Sequence, residues 1–328
     1  MTKPPAEAYP NDYGFLFIKY IYSHKVWKVL FAIHNKIELY SGSMEEKMDF
    51  LLFVLKSIVL GIVEGITEFL PVSSTGHLRI FENIMHFEST TPHYVDMYTY
   101  VIQLGAILAV VLLYWKKIKD TIINFFPGKV GYEKSGFKFW LMIVIACVPG
   151  AILGILFNDL ADKYLSGSII VAIVLFLGAI WMLYAENKFR NNNLTKQKLS
   201  VTPKQALIVG LFQCLAIIPG MSRSASTIIG GWVSGLSTVV AAEFSFFLAI
   251  PVMFGMSFLK ILKLGGFNLL SGTEITALIV GFVVSFVVAV AVISKFISYL
   301  KRKPMKGFAY YRMIFAVVVI VAGLLKIF

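Results

Sequence analysis

The stretch Glu64-Gly65-Ile66-Thr67-Glu68-Phe69-Leu70-Pro71-Val72-Ser73-Ser74-Thr75-Gly76-His77 sets two carboxylates, two serines, two threonines and a histidine into apolar surroundings. A charged side chain near the centre of a bilayer costs roughly 2.5–3.5 kcal/mol even on a lenient insertion scale, so such a cluster persists only around partners, water or a ligand. The rest of the chain supplies that setting. Hydrophobic residues make up 58% of its 328 positions and charged residues 15%, against about 25% charged in an ordinary soluble domain. Runs near 97–115, 138–157, 168–185, 244–262, 274–294 and 309–327 are each long enough to cross a core that takes about 20 helical residues. The pattern predicts an all-α, polytopic membrane helix bundle.

The net charge of +12 would suggest nucleic acid in a soluble protein, but the bases are confined to three connections. Lys116, Lys117, Lys119, Lys129, Lys134 and Lys138 flank one, Lys188, Arg190, Lys196, Lys198 and Lys204 the second, and Lys301, Arg302, Lys303 and Lys306 the third. The positive-inside rule puts these in the cytoplasm and accounts for the charge without nucleic acid. Connections near Glu82, Glu88 and Asp96, near Asp159 and Asp162, and near Lys260, Lys263 and Glu274 are poorer in bases and fall outside. Cys147 and Cys214 lie in apolar segments without a CxxC spacing and carry no disulfide or metal signal. Residues 1–43 interleave aromatic and basic side chains and lack the uncharged core of a signal peptide; they read as an interfacial or dispensable leader. Residues 44–328 read as a single transmembrane domain.

A second broken segment lies in the other half: Gln213-Cys214-Leu215-Ala216-Ile217-Ile218-Pro219-Gly220-Met221-Ser222-Arg223-Ser224-Ala225-Ser226-Thr227. Displaced by 149 positions, Gly61 falls on Gly210, Glu64 on Gln213 and Ser73 on Ser222, with Pro71 and Pro219 one position out of step. Interrupted hydrophobic segments in corresponding places mark duplicated membrane folds whose discontinuous helices meet at a ligand. The expected architecture is an inverted-topology repeat, with copies at about 50–185 and 204–328. Two re-entrant hairpins are expected, one of 50–70 with 72–85 and one of 205–219 with 227–241.

Each copy brings its own chemistry. Glu64 and Glu68, four apart, share one helix face and suit either a hard divalent cation held through oxygen or a shared proton. After Pro71 the run Ser73-Ser74-Thr75-Gly76-His77 restarts a helix, where unpaired N–H groups bind anions and a serine caps or attacks. His77 follows Ser74 by three residues, within reach of a general base. In the second copy Arg223 offers phosphate a rigid fork and would stabilise charge that develops during phosphoryl transfer. Glu243 could pair with Arg223 or cap its own helix.

The runs Glu64 to His77 and Pro219 to Thr227 resemble the two signature motifs of the undecaprenyl-diphosphate phosphatase family, the bacitracin-resistance type of integral membrane phosphatase. The resemblance extends to Val101-Ile102-Gln103-Leu104-Gly105, Phe212 to Ala216 and Glu243 to Phe246, and covers roughly residues 50–328. It implies hydrolysis of undecaprenyl diphosphate on the outer face of the bacterial plasma membrane, recycling the lipid carrier for peptidoglycan synthesis and hence cell wall biogenesis and cell shape. It further implies a divalent cation, Mg or Ca, on Glu64 and Glu68, and functional roles for Ser74, His77, Ser222 and Arg223. Ser74 is the expected nucleophile, assisted by His77 or Glu68, with His77 itself as the alternative. Ser73, Thr75, Ser222, Ser224, Thr227 and Gln213 are expected to bind substrate. The expected partners are undecaprenyl diphosphate, membrane lipid, bacitracin as a competitor for substrate, and a second copy of the chain in a homodimer; nucleic acid is not among them. A lipid-phosphate flippase or anion transporter would use the same head-group site. The membrane phosphatases that place His and Asp after a Ser-Arg run are excluded, because no His follows His93.

Overall fold

The computed structural model describes residues 44–128, 130–190 and 201–325; the leader 1–43 lies outside them. Every regular element among the described residues is helical. The first half contains α1 (Met44–Thr67), α2 (Ser74–Ile84), α3 (Tyr94–Leu113), the short α4 (Trp115–Ile123), α5 (Gly136–Leu165) and α6 (Ser168–Phe189). The second contains α7 (Pro203–Gln213), α8 (Arg223–Val233), α9 (Thr238–Leu264), α10 (Gly272–Leu300) and α11 (Lys306–Leu324). Residues 53–328 form one compact unit, and the first nine residues of α1 fall outside it.

Seven helices among the described residues are long and apolar enough to cross a membrane: α1, α3, α5 over Gly136–Phe157, α6, α9, α10 and α11. Six of them match the unbroken runs expected from sequence to within a few residues. The seventh, α1, is 24 residues long and starts earlier than the hairpin arm expected at 50. In the second half the arm expected at 227–241 is instead two pieces. α8 begins at Arg223 because Ser222 caps it, and α9 begins at Thr238 because the Ser237 hydroxyl caps Val240 N–H after the turn at Gly235. Ser234-Gly235 and the Ser237-Thr238 cap mark this turn in the sequence, and the reading of 227–241 as one apolar piece passes over them.

One side-chain-to-backbone hydrogen bond spans each broken segment. Lys56 Nζ donates to the His86 carbonyl beyond α2 (3.0 Å), while Gln205 Nε2 donates to the Ser234 carbonyl beyond α8 (3.1 Å). Lys56 and Gln205 are themselves 149 positions apart. Close helix packing needs small residues in both halves. A Cβ on Gly61 would stand 2.6 Å from the Gly281 carbonyl of α10, and one on Gly210 would stand 2.4 Å from the Ala146 carbonyl of α5. α3 packs on α10 and α9, α7 on α5, and α6 runs along α11. At the loop after α10, Glu186 accepts from both Arg190 and the Met305 N–H (2.8 Å), tying α6 to the start of α11. The main core surrounds α8 and α9, with Ile228, Ile229, Trp232, Phe244, Phe246 and Phe247 buried.

Candidate active site

The two helix restarts share one unusual backbone geometry. Ser73 and Ser222 both have φ of 71°, a conformation that costs a non-glycine residue of order 1–3 kcal/mol unless the surroundings enforce it. Each hydroxyl accepts from the N–H three residues on, Gly76 and Ala225 respectively, at 3.3 Å. Each carbonyl is held twice by the residue four positions on. Ser73 O accepts from His77 N–H (3.1 Å) and His77 Nδ1 (2.8 Å), and Ser222 O accepts from Ser226 N–H (3.0 Å) and Ser226 Oγ (2.9 Å). The strain is therefore offset by paired acceptors, and the result is two helix starts, α2 and α8, carrying Ser74 and Arg223 at equivalent first positions.

Glu68 joins the two helix starts. It stands one residue beyond α1, and its N–H still bonds Glu64 O (3.0 Å), so the four-residue relation of the two carboxylates survives the helix end. Glu68 Oε2 accepts from Ser74 Oγ (2.5 Å), and Oε1 accepts from Arg223 Nη2 (2.9 Å). Arg223 Nη1 donates to the Ser245 carbonyl on α9 (3.1 Å), and its Nε is buried without a partner. Ser224 Oγ bridges to Leu70 O (2.9 Å), a further link across the halves. Glu64 is fully buried and neither of its carboxylate oxygens has a hydrogen-bond partner; the same holds for Oε1 of Gln103 and Gln213.

The structure divides the remaining candidates. His77 does not touch Ser74: Nδ1 must carry the proton given to Ser73 O, so Nε2 of the neutral ring accepts from the Tyr311 hydroxyl (2.9 Å), and the ring stacks on Phe315 at 4.3 Å. Of the two expected assistants, Glu68 is the one within reach of Ser74. Thr227 is fully buried, bonded to Arg223 O (2.9 Å) and Ser245 Oγ (2.6 Å), and so supports the loop from behind. Glu243 neither pairs with Arg223 nor caps α9; it takes Lys117 Nζ at 3.0 Å, because it stands nearly two helical turns beyond the cap at Ser237 and its side chain faces α4. Sequence reasoning passed over Tyr311, Arg312 and Ser245. Arg312 could have been found, since a lone arginine inside an apolar helix is a site by default; Ser245 and Tyr311 gave no such signal.

Glu68, Ser73, Ser74, Thr75, Gln213, Ser222 and Arg223 line a cavity of about 510 Å³. Its walls are mostly apolar, from Ala151, Ile155, Ile217, Val252, Met256 and Leu259 among others, and it passes Pro251 inside α9. Asp159, Lys260 and Lys263 also line it. From Ser245, beside Arg223, to Lys260 the α9 axis rises roughly 22 Å at 1.5 Å per residue. The cavity thus joins a charged inner end to a second charged zone near the ends of α5 and α9, where Lys263 pairs with Asp159 at 2.7 Å. The described residues contain no group of three or more His, Cys, Asp or Glu placed to hold a metal. Two carboxylates, one with both oxygens orphaned, nonetheless fit a hard cation that completes its shell with substrate oxygens.

Seven apolar helices, with a polar cavity lined from the starts of α2 and α8, define a multi-pass membrane protein. The chain belongs to the family described as bacitracin resistance protein BacA, which it matches over residues 57–318. It is similar to a protein named undecaprenyl-diphosphatase from Ruminiclostridium cellulolyticum, 75% identical over 86% of this chain and 100% of that protein. Proteins of the same name from Clostridium novyi and Clostridium tetani are 51% and 49% identical, over 85% and 84% of this chain and 99% of each relative.

Proposed function

We propose that the chain hydrolyses undecaprenyl diphosphate to undecaprenyl phosphate and phosphate, returning the lipid carrier to peptidoglycan synthesis. The observation that carries this reading is the contact of Ser74 Oγ with Glu68 at 2.5 Å, closed by Arg223 at 2.9 Å, at the inner end of an apolar cavity. Ser74 Oγ attacks the terminal phosphorus while Glu68 takes its proton, and undecaprenyl phosphate leaves as the bridging P–O bond breaks. Glu68 passes that proton to the departing undecaprenyl phosphate; water then attacks the serine-bound phosphoryl group, and Glu68 takes one proton of the water and hands it to Ser74 Oγ as the P–Oγ bond breaks and phosphate departs. Arg223, with Nε uncommitted, faces the phosphoryl oxygens and balances the charge that spreads over them in the transition state. Glu64 and Glu68 would hold a divalent cation, which neutralises phosphate charge when bound. The apolar walls exclude water and match a polyprenyl tail.

Transport of the same head group needs charge complementarity but no hydroxyl engaged by a carboxylate, and the Ser74–Glu68 pair therefore favours hydrolysis. An opening toward the outer face of the plasma membrane is supported by the cavity-lining Asp159 and Lys263, which lie next to connections poor in bases. Two re-entrant hairpins in inverted copies are supported by the matched closures at Lys56 and Gln205. The test is phosphate release from a C55 diphosphate by purified protein. Activity is expected in the wild type and lost in Ser74→Ala and Arg223→Ala; full activity in both variants overturns the site. A protein that moves labelled lipid phosphate across liposomes and releases none would be a carrier.

A further inference from the structure

Arg312 of α11 is fully buried in a helix of otherwise apolar character. Among the described residues its guanidinium pairs with no carboxylate, and the hydrogen bonds it makes go to backbone carbonyls. Nη2 donates to the Gly220 carbonyl (3.0 Å) and more weakly to Met221 O (3.5 Å), and Nη1 donates to the Pro71 carbonyl (3.5 Å). Pro71 and Gly220 are 149 positions apart, so one side chain holds the equivalent carbonyl in each half. Each carbonyl lies three residues ahead of a reacting group, Ser74 in one case and Arg223 in the other.

From this we infer that Arg312 is a positioning residue that sets the two broken segments in register, so that Ser74 and Arg223 meet the same phosphate. The inference rests on the proposed hydrolysis and deepens it. Carbonyls freed by a helix break at membrane depth need donors from elsewhere in the protein, and a planar fork with five N–H groups can serve two chain segments at once, which an ammonium cannot do with the same geometry. The neighbours of Arg312 on α11 act in the same sense. Tyr311 and Phe315 hold the His77 ring, which in turn holds the carbonyl of Ser73. α6 leaves room for the fork at Gly178, where a Cβ would stand 2.4 Å from Arg312 Nη2.

The experiment uses full-length protein in detergent and two variants, Arg312→Lys and Gly178→Ala, the second of which displaces the guanidinium without removing it. Both are expected to lower kcat about 10- to 100-fold with KM changed by less than about threefold, the pattern of lost transition-state alignment. Hydrogen exchange read by mass spectrometry is expected to quicken in segments 71–77 and 220–226 together, although they are far apart in sequence. A residue that merely stabilises the fold would lower Tm and leave kcat per folded molecule unchanged. Wild-type kcat in Arg312→Lys, or faster exchange confined to one segment or absent from both, overturns the inference; should Arg312→Lys fail to fold, Gly178→Ala decides alone. A wild type that releases no phosphate refutes the hydrolase reading and with it the catalytic part of the inference, whereas coupled exchange would still locate the brace.

Discussion

Ser74 and His77 sit on the same turn of α2, yet their partners point to different duties. Ser74 gives its hydrogen bond to Glu68, and His77 spends both ring nitrogens on Ser73 and Tyr311. Glu68→Gln keeps the shape but removes the proton acceptor and the charge facing Arg223, so kcat is expected to fall about 10²- to 10⁴-fold. His77→Phe keeps the stack on Phe315 and loses the hold on Ser73; a loss of about tenfold is expected, and a fall to background in phosphate release would make the histidine the nucleophile instead. Glu64 is a different case, with two buried oxygens lacking any donor. Chelation is expected to abolish turnover and added Mg or Ca to restore it in the wild type, with Glu64→Gln needing about tenfold or more of the cation; activity indifferent to chelator would leave the shared proton as the reading of the pair.

At the scale of elements, the decisive objects are the two interrupted helices. Their existence was legible in Pro71 and in Pro219-Gly220, and their chemistry in the serines and charges that follow. Their ends were less so. The arm expected to run through 227–241 stops at Val233, because Ser234-Gly235 makes a turn and Ser237 caps the next helix, two short-range signals that averaging hydropathy over the segment smooths away. Nor could spacing tell Glu68 from His77 as the partner of Ser74, because that choice depends on the Ser73 carbonyl and the distant Tyr311 hydroxyl, which occupy both ring nitrogens of His77. The same geometry makes a prediction at Ser222. Ser222→Gly relieves the backbone while losing the cap, a change of only a few tenths of a kcal/mol, whereas Ser222→Val adds a β-branched side chain at φ 71° and is expected to cost about 2–3 kcal/mol. Thermal unfolding in detergent separates them, and equal Tm values would contradict the geometry.

For the whole molecule, the long cavity carries charge at both ends, and the charges remote from Glu68 are expected to act in capture of an anionic head group. Lys260 is buried in the cavity wall and Lys263 is bound to Asp159. Lys260→Ala is expected to lower kcat/KM about tenfold at low ionic strength, with the deficit shrinking as salt rises; a deficit independent of salt would point to packing. The hydrogen bond and charge of Lys263 hold the exposed Asp159 carboxyl below its usual range. A depressed folded-state value means that the pair is intact at neutral pH and opens only as pH falls through that value, so Asp159→Asn at pH 7 should mimic strong acidification. The brace on α11 carries a further meaning for biosynthesis. In chain order α11 follows every helix that shapes the cavity, and translation delivers elements in that order. A nascent chain inserted only as far as α10 holds Ser74, Glu68 and Arg223 but not the side chain that aligns them, so phosphatase competence should arrive with the final helix rather than accumulate along the way.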